Sequence, residues 1–293
     1  MIQIVQGTID ALSLGGMYAL TALGIALIFG ILRLVNLAHG ELIMLAAYAI
    51  FFVTASTPLV VLVGAAVVAA VLAALAMERI AFRPMRSASP ATLMVASFGV
   101  SYFLQNLAIV AMGSQSKPIG LTGFLTESLA LGPFRVAMLD LVTIVTTLTL
   151  LVLLAAFLRY TLLGLKMRAA AEDFRMARLL GVRASPVIAV AFLISGAFAG
   201  IVAVLLVART GTASPTMGIT PLIIGIVAVV IGGMESLSGA VLGGLVLGIL
   251  TTGLQVLLPL GLQPFRDAVV FGAVIVFLLF RPQGVFGWSA ARV

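Results

Sequence analysis

Apolar runs fill most of this sequence, and short polar clusters punctuate them. Thr8 to Gly30 is the first run, closed by Arg33, and Pro58 to Met77 is another, followed by ERIAFRPMRSASP with Arg79, Arg83, Arg86 and two prolines. Ala91 to Met112, Val136 to Leu158 and Pro186 to Ala208 follow; the last run, Asp267 to Phe280, stops at Arg281 and Pro282. As helices, runs of about 20 residues cross a hydrocarbon core of about 30 Å.

Two stretches break this pattern. Within Leu34 to Thr54 the unbroken apolar part is only Leu42 to Thr54, about 20 Å of helix against a core of about 30 Å. Asn36, His39, Gly40 and Glu41 must therefore enter the membrane's depth or its near edge. Ile219 to Leu258 is long enough for two spans, but GGMESLSG (Gly232 to Gly239) interrupts it. The pattern predicts an all-α polytopic bundle of about nine spans, with a range of eight to ten because the interrupted segment can re-enter instead of crossing. Residues 1–293 form one transmembrane domain on this reading.

Composition agrees: 63% of residues are hydrophobic and 9% charged, with a mean hydropathy of +1.31, too little polar surface to cover a soluble globule. A net charge of +7 raises the question of nucleic acid, but the basic residues sit at the ends of apolar runs, where topology explains them better. Six of the sixteen lie in one loop, residues 159–185 (Arg159, Lys166, Arg168, Arg175, Arg178, Arg183). With that loop on the cytoplasmic side, alternation puts twelve basic residues inside and four (Lys117, Arg135, Arg209, Arg266) outside. The expected topology is N-terminus outside and C-terminus cytoplasmic. The first basic residue is Arg33, so no cleavable signal peptide is expected.

Within the loop, Met167, Ala170, Ala171, Phe174, Ala177 and Gly181 recur at helical spacing, while Arg168, Glu172 and Arg175 fall on another face. Gly181 suits a left-handed C-cap. Such a helix fits the membrane surface or a groove on a partner protein; a basic loop that only sets topology carries the same charge.

Polar backbone at membrane depth survives where it is buried in protein or lines a cavity, and broken segments in the two halves of a chain point to a translocation site. That reasoning makes Asn36, His39, Glu41 and Glu235 candidates for lining or gating a path; at helical spacing Asn36, His39 and Gly40 share a face, while Glu41 points partly away. A structural role for both carboxylates at the cytoplasmic interface is the competing reading, and the favoured one for each singly, since the expected topology places them near that side and an ionisable group at the bilayer centre costs about 2.5–3.5 kcal/mol. Gly196 and Gly200, and Gly243, Gly244 and Gly248, permit close helix approach without naming a partner. With no cysteine, one histidine, and no HExxH, GxSxG or Walker A pattern, catalysis within the chain is not expected.

YALTALGIALIFGILRLVNLAHGELIML (18–45), ERIAFRPMRS (78–87), FLQN (103–106), RAAAEDFRMARLLGV (168–182) and RPQGVFG (281–287) together resemble the first of the two permease types of high-affinity branched-chain amino acid ABC importers. The resemblance spans essentially the whole chain. It implies a non-catalytic permease of the bacterial inner membrane, pairing with a second related permease, two cytoplasmic ATP-binding subunits and an extracytoplasmic solute-binding protein. No cofactor is implied in this chain, ATP and Mg being bound by the partners. It also implies that loop 159–185 holds the coupling helix, with Glu172, Asp173 and Gly181 on the matching positions; Arg168 and Arg175, on the charged face with Glu172, complete the expected contact with the ATPase. Leu37, where the family often has an aromatic, and MESLS, where a more glycine-rich turn is usual, leave the solute open among branched-chain amino acids, urea, short amides and aromatic acids. An ATP-independent channel or carrier is the alternative, and it would tolerate damage to the loop.

Overall fold

The computed structural model describes residues 2–53, 57–86, 88–120, 127–131, 134–234 and 236–285. The chain order is α1 (Ile2–Leu32), α2 (His39–Phe52), α3 (Leu59–Met77), α4 (Pro90–Met112), β1 (Lys117–Pro118), β2 (Ser128–Leu131), β3 (Phe134–Ala137), α5 (Met138–Tyr160), α6 (Leu162–Glu172), α7 (Phe174–Leu179), α8 (Ala184–Thr210), β4 (Thr212–Ala213), α9 (Ile219–Gly232), α10 (Leu237–Leu257) and α11 (Arg266–Phe280). A π-helical turn, Glu78–Phe82, prolongs α3.

Seven of these helices are long and apolar enough to cross a membrane: α1, α3, α4, α5, α8, α10 and α11, the last lengthened by the turn before it. The two remaining apolar helices, α2 and α9, have 14 residues each, about 21 Å. All nine lie where the hydrophobic pattern put them. The interrupted 219–258 segment divides into α9 and α10 at Gly233, whose φ of 101° ends the first helix, and Ser236, whose hydroxyl accepts from Gly239 N at 3.0 Å and starts the second.

The long helices α1 and α8 form the centre; residues 15–28 of α1 are buried on every side. The packing around them is exchanged between the two halves of the chain. Helices α9 and α10 lie on α1, and α2 and α3 lie on α8, so each long helix is embraced by the other half's short helix and long helix. Lipid is as apolar as leucine, so helix association inside a membrane depends on close van der Waals fit more than on the hydrophobic effect. Glycines provide that fit: Gly196 and Gly200 seat α8 against the α3 backbone around Ala66–Ala74, and Gly244 and Gly248 seat α10 against Ala11–Ala19 of α1. Helices α4, α5 and α11 are peripheral and largely outward-facing.

The loops define two faces. On one, called the loop face, lie the end of α1, the α3–α4 turn, α6–α7 and the α9–α10 turn. There Arg86 donates to Ser185 Oγ at 2.9 Å and pairs with Glu78, tying the α3–α4 turn to the start of α8. On the opposite face Arg209 of α8 donates to Asp140 of α5 at 2.6 Å and to Ser13 of α1 at 3.1 Å. The otherwise helical expectation misses two small antiparallel ribbons on that face: β1 with β4, and the hairpin pairing Ser128 with Ala137 and Leu131 with Phe134. Backbone donors and acceptors outside helices find partners in these ribbons.

Candidate functional site

The interior is built around the starts of the two short helices. α1 ends at Leu32, residues 33–38 turn back without regular helix, and α2 begins at His39. α8 ends at Thr210, residues 211–218 turn back in the opposite sense, and α9 begins at Ile219. The two starts meet: a Cβ on Gly40 would run into the Gly218 carbonyl, and one on Gly218 into that of Gly40. His39, beside this contact, lies against Gly24 of α1 and Ser195 of α8. Those positions are about 12 Å from the end of α1 and about 17 Å from the start of α8, well inside the bundle.

This geometry corrects two readings. The break equivalent to residues 33–38 is 211–218, not Gly232–Gly239, which only separates α9 from α10. Nor do Asn36, His39 and Gly40 share one helix face, because Asn36 precedes α2 and each residue meets a different neighbour. Asn36 Oδ1 accepts from Ala38 N at 3.0 Å, closing an Asx turn just before the helix start, and Nδ2 lies 3.7 Å from Met77 Sδ of α3. Ser195 Oγ donates its single proton to Gly24 O at 2.8 Å, so the 3.1 Å contact to His39 requires Nδ1–H to donate to that hydroxyl. Nε2 then carries a lone pair, buried against Gly24 with no partner among the described residues. Glu41, in the first turn of α2, accepts from Ser101 of α4 at 2.8 Å through Oε1, and the carboxylate suits the positive end of the helix dipole. One turn earlier on α4, Ser97 Oγ accepts from Leu37 N at 3.2 Å. Two serines thus fasten both the 33–38 segment and α2 to α4. All three predicted residues are fully buried at helix contacts; Glu235 lies outside the described residues.

On the loop face the predicted single helix is two. Asp173 (φ −145°, ψ 103°) ends α6 and caps α7, its carboxylate accepting from Arg175 N and Met176 N at 2.9 Å each. A carboxylate is a strong N-cap, and in AEDFR the cap wins over helix continuity. Gly181 (φ 88°) ends α7: its N–H donates to Arg178 O at 3.0 Å and Val182 N to Ala177 O at 3.0 Å, the paired bonds of a Schellman motif. Met167, Ala170 and Ala177 are buried, whereas Arg168, Glu172, Asp173 and Arg175 are exposed.

A cavity of about 900 Å³ opens beside α6. Arg168 and Glu172 line it together with Leu27 and Ile31 of α1, and with Gly233 and Ser236 of the α9–α10 turn. Pro282 and Gln283 lie at its rim, and beyond them Val285 N donates to Ile231 O at 2.7 Å. Sequence reasoning missed Arg33, Ser101, Ser195 and Gly218. Only the short length of Ile219–Gly232 could have pointed to the last, by the argument that exposed the break before α2.

Long helices interleaved with two short helices that start inside the bundle make this a multi-pass membrane protein of the transport type. The chain belongs to the family described as branched-chain amino acid transport system / permease component, whose profile matches residues 7–279. It is 34% identical to the high-affinity branched-chain amino acid transport system permease protein BraD of Pseudomonas aeruginosa, over 96% of this chain and 95% of that one. Identity to the corresponding permease protein LivH of Escherichia coli K12 is 33%, over 96% and 95%. A probable branched-chain amino acid transport permease protein LivH of Methanocaldococcus jannaschii is 25% identical over 94% and 90%. No solved structure matches the chain.

Proposed function

We propose that this permease carries branched-chain amino acids across the bacterial inner membrane as half of a paired translocation unit, and that α6–α7 is where partner ATPases act on it. The second half is a related permease, two ATP-binding subunits dock on the loop face, and a solute-binding protein delivers substrate to the opposite face. The loop face is then cytoplasmic and the N-terminus external, the arrangement favoured by the basic residues at the ends of the apolar runs. The chain itself does no chemistry; ATP and Mg belong to the partner subunits.

The observation carrying this reading is the division of α6–α7: Met167, Ala170 and Ala177 face inward while Arg168, Glu172 and Arg175 are presented outward. That is the form of an element seated on one protein and gripped by another. When the ATPases close, α6–α7 moves with them, and the loop-face cavity and the contact between the α2 and α9 starts change together. The bundle passes between outward- and inward-facing states by shear of packed helices.

The test is uptake of labelled leucine into proteoliposomes holding the complete transporter, with ATP inside and binding protein outside. Wild type is compared with Glu172→Ala, Asp173→Ala. Loss of uptake and of substrate-stimulated ATP hydrolysis in the assembled variant supports the reading; unchanged ATP-driven uptake overturns the role of α6–α7.

A further inference from the structure

Arg33 is placed unlike any other basic residue on the loop face. It is the non-glycine residue with positive φ (55°) among the described residues, a conformation costing an L-residue about 1–2 kcal/mol. Its N–H still donates to Phe29 O at 2.7 Å, so the turn is fixed to the last turn of α1. Its side chain reaches 138 residues along the sequence and donates from Nη2 to Ala171 O at 3.0 Å. Ala171 lies in the last turn of α6, where helix carbonyls lack intrahelical partners and a cation is favoured by the dipole. A second contact reinforces the first: a Cβ on Gly30 would sit 3.9 Å from Ala171 Cβ.

Beyond Arg33 the chain has little slack. Residues 34–38 are held by Ser97, which accepts from Leu37 N, and by the Asn36 turn onto Ala38 N. Two residues later Gly40 abuts Gly218 at the start of α9. A displacement of the α6 C-terminus is therefore delivered through the Arg33–Ala171 contact and a short pinned segment to the meeting point of both short helices.

We propose that Arg33 is the positioning residue that transmits motion of the coupling helix to the α2 and α9 starts, so that its bond to Ala171 O sets how much transport each ATP drives. The proposal rests on the coupling role given to α6–α7 above. Its test is the ratio of leucine imported to ATP hydrolysed by the complete transporter in proteoliposomes. R33A lowers that ratio about fivefold, the net worth of a typical intramolecular hydrogen bond, with assembly and basal ATP hydrolysis unchanged. R33K, which keeps a cation near the carbonyl, recovers much of it. R33G relaxes the positive φ but lacks the bond, and behaves like R33A.

The chain has no cysteine, so a covalent substitute can be installed cleanly. Gly30→Cys with Ala171→Cys meets the Cβ separation of about 3.5–4.5 Å that a disulfide needs. Added to R33A, the oxidised pair restores the ratio and a reductant abolishes the restoration, an effect that a general loss of stability does not produce. A wild-type ratio in R33A, a wild-type ratio in R33G, or an oxidised pair that fails to restore coupling overturns the proposal. Absence of ATP-driven uptake by the wild-type complex refutes the transport reading itself, and the proposal with it.

Discussion

Gly40→Ala is the sharpest perturbation of the interior. Gly40 has an ordinary backbone conformation, so the substitution introduces no dihedral strain and its effect is steric. The added methyl carbon would sit 2.5 Å from Gly218 O, 2.9 Å from Gly218 C and 3.2 Å from Leu222 Cβ. A carbon and a carbonyl oxygen approach to about 3.3 Å, so α2 and α9 must separate by up to about 0.8 Å. Two of the three obstacles are backbone, and no rotamer change relieves them. Overpacking of this kind costs about 1–3 kcal/mol, and its upper half applies where the backbone must move. Alanine returns part of that through helix propensity, leaving a net loss of about 2 kcal/mol. Gly64 and Gly99 are the controls: a Cβ on either meets nothing within 4 Å, so Gly64→Ala and Gly99→Ala are neutral or stabilising by up to about 1 kcal/mol. Thermal unfolding of the purified complex in detergent, followed by size-exclusion profile, should place G40A about 4–8 °C below wild type and both controls at or above it. G40A matching G99A would refute the claim that the two helix starts are in backbone contact.

On the opposite face, Asp140→Asn or Arg209→Ala should each cost about 1–3 kcal/mol, less than for a fully buried pair because 35% of the Arg209 side chain is exposed. The double variant should fall short of the sum in the same unfolding assay. Asp173→Asn keeps an N-cap and should leave α7 and transport near wild type, whereas Asp173→Ala loses about 1 kcal/mol of α7 stability, read by hydrogen exchange over residues 174–179. Gly181→Ala forces a methyl into φ 88° and should cost about 1–2 kcal/mol, with faster exchange in α7 and weaker retention of ATPase subunits on purification.

The outer architecture was legible because apolar run length and basic punctuation report directly on the bilayer; Arg33, Arg79 and Arg281 closed runs near where helices end. The break before α2 was legible for the same reason, since Leu42–Thr54 is too short to span. Its counterpart at 211–218 was not: GGMESLSG is the conspicuous interruption of 219–258, and it drew the assignment away from the turn before α9. The split between α6 and α7 was hidden because AEDFR continues the helical stripe on both sides, and only the competition between a capping aspartate and helix propagation decides it. Contacts such as Arg33 with Ala171 or Ser195 with His39 join residues far apart in sequence, and periodicity carries no information about them. The roles expected of Glu172 and Asp173 rest on family resemblance; what the structure adds is their exposure and the bond that ties α6 to the end of α1.

Site-directed cross-linking tests the central claim most directly, since an introduced cysteine is the only one in the chain. Arg168→Cys on α6 and Lys117→Cys on the opposite face would each be placed in the assembled transporter and treated with a short thiol-to-amine cross-linker, with and without a non-hydrolysable ATP analogue. The account predicts adducts to an ATP-binding subunit from position 168 alone, with a yield that changes on nucleotide binding. An ATPase adduct from position 117, or none from 168 in an intact complex, would contradict it.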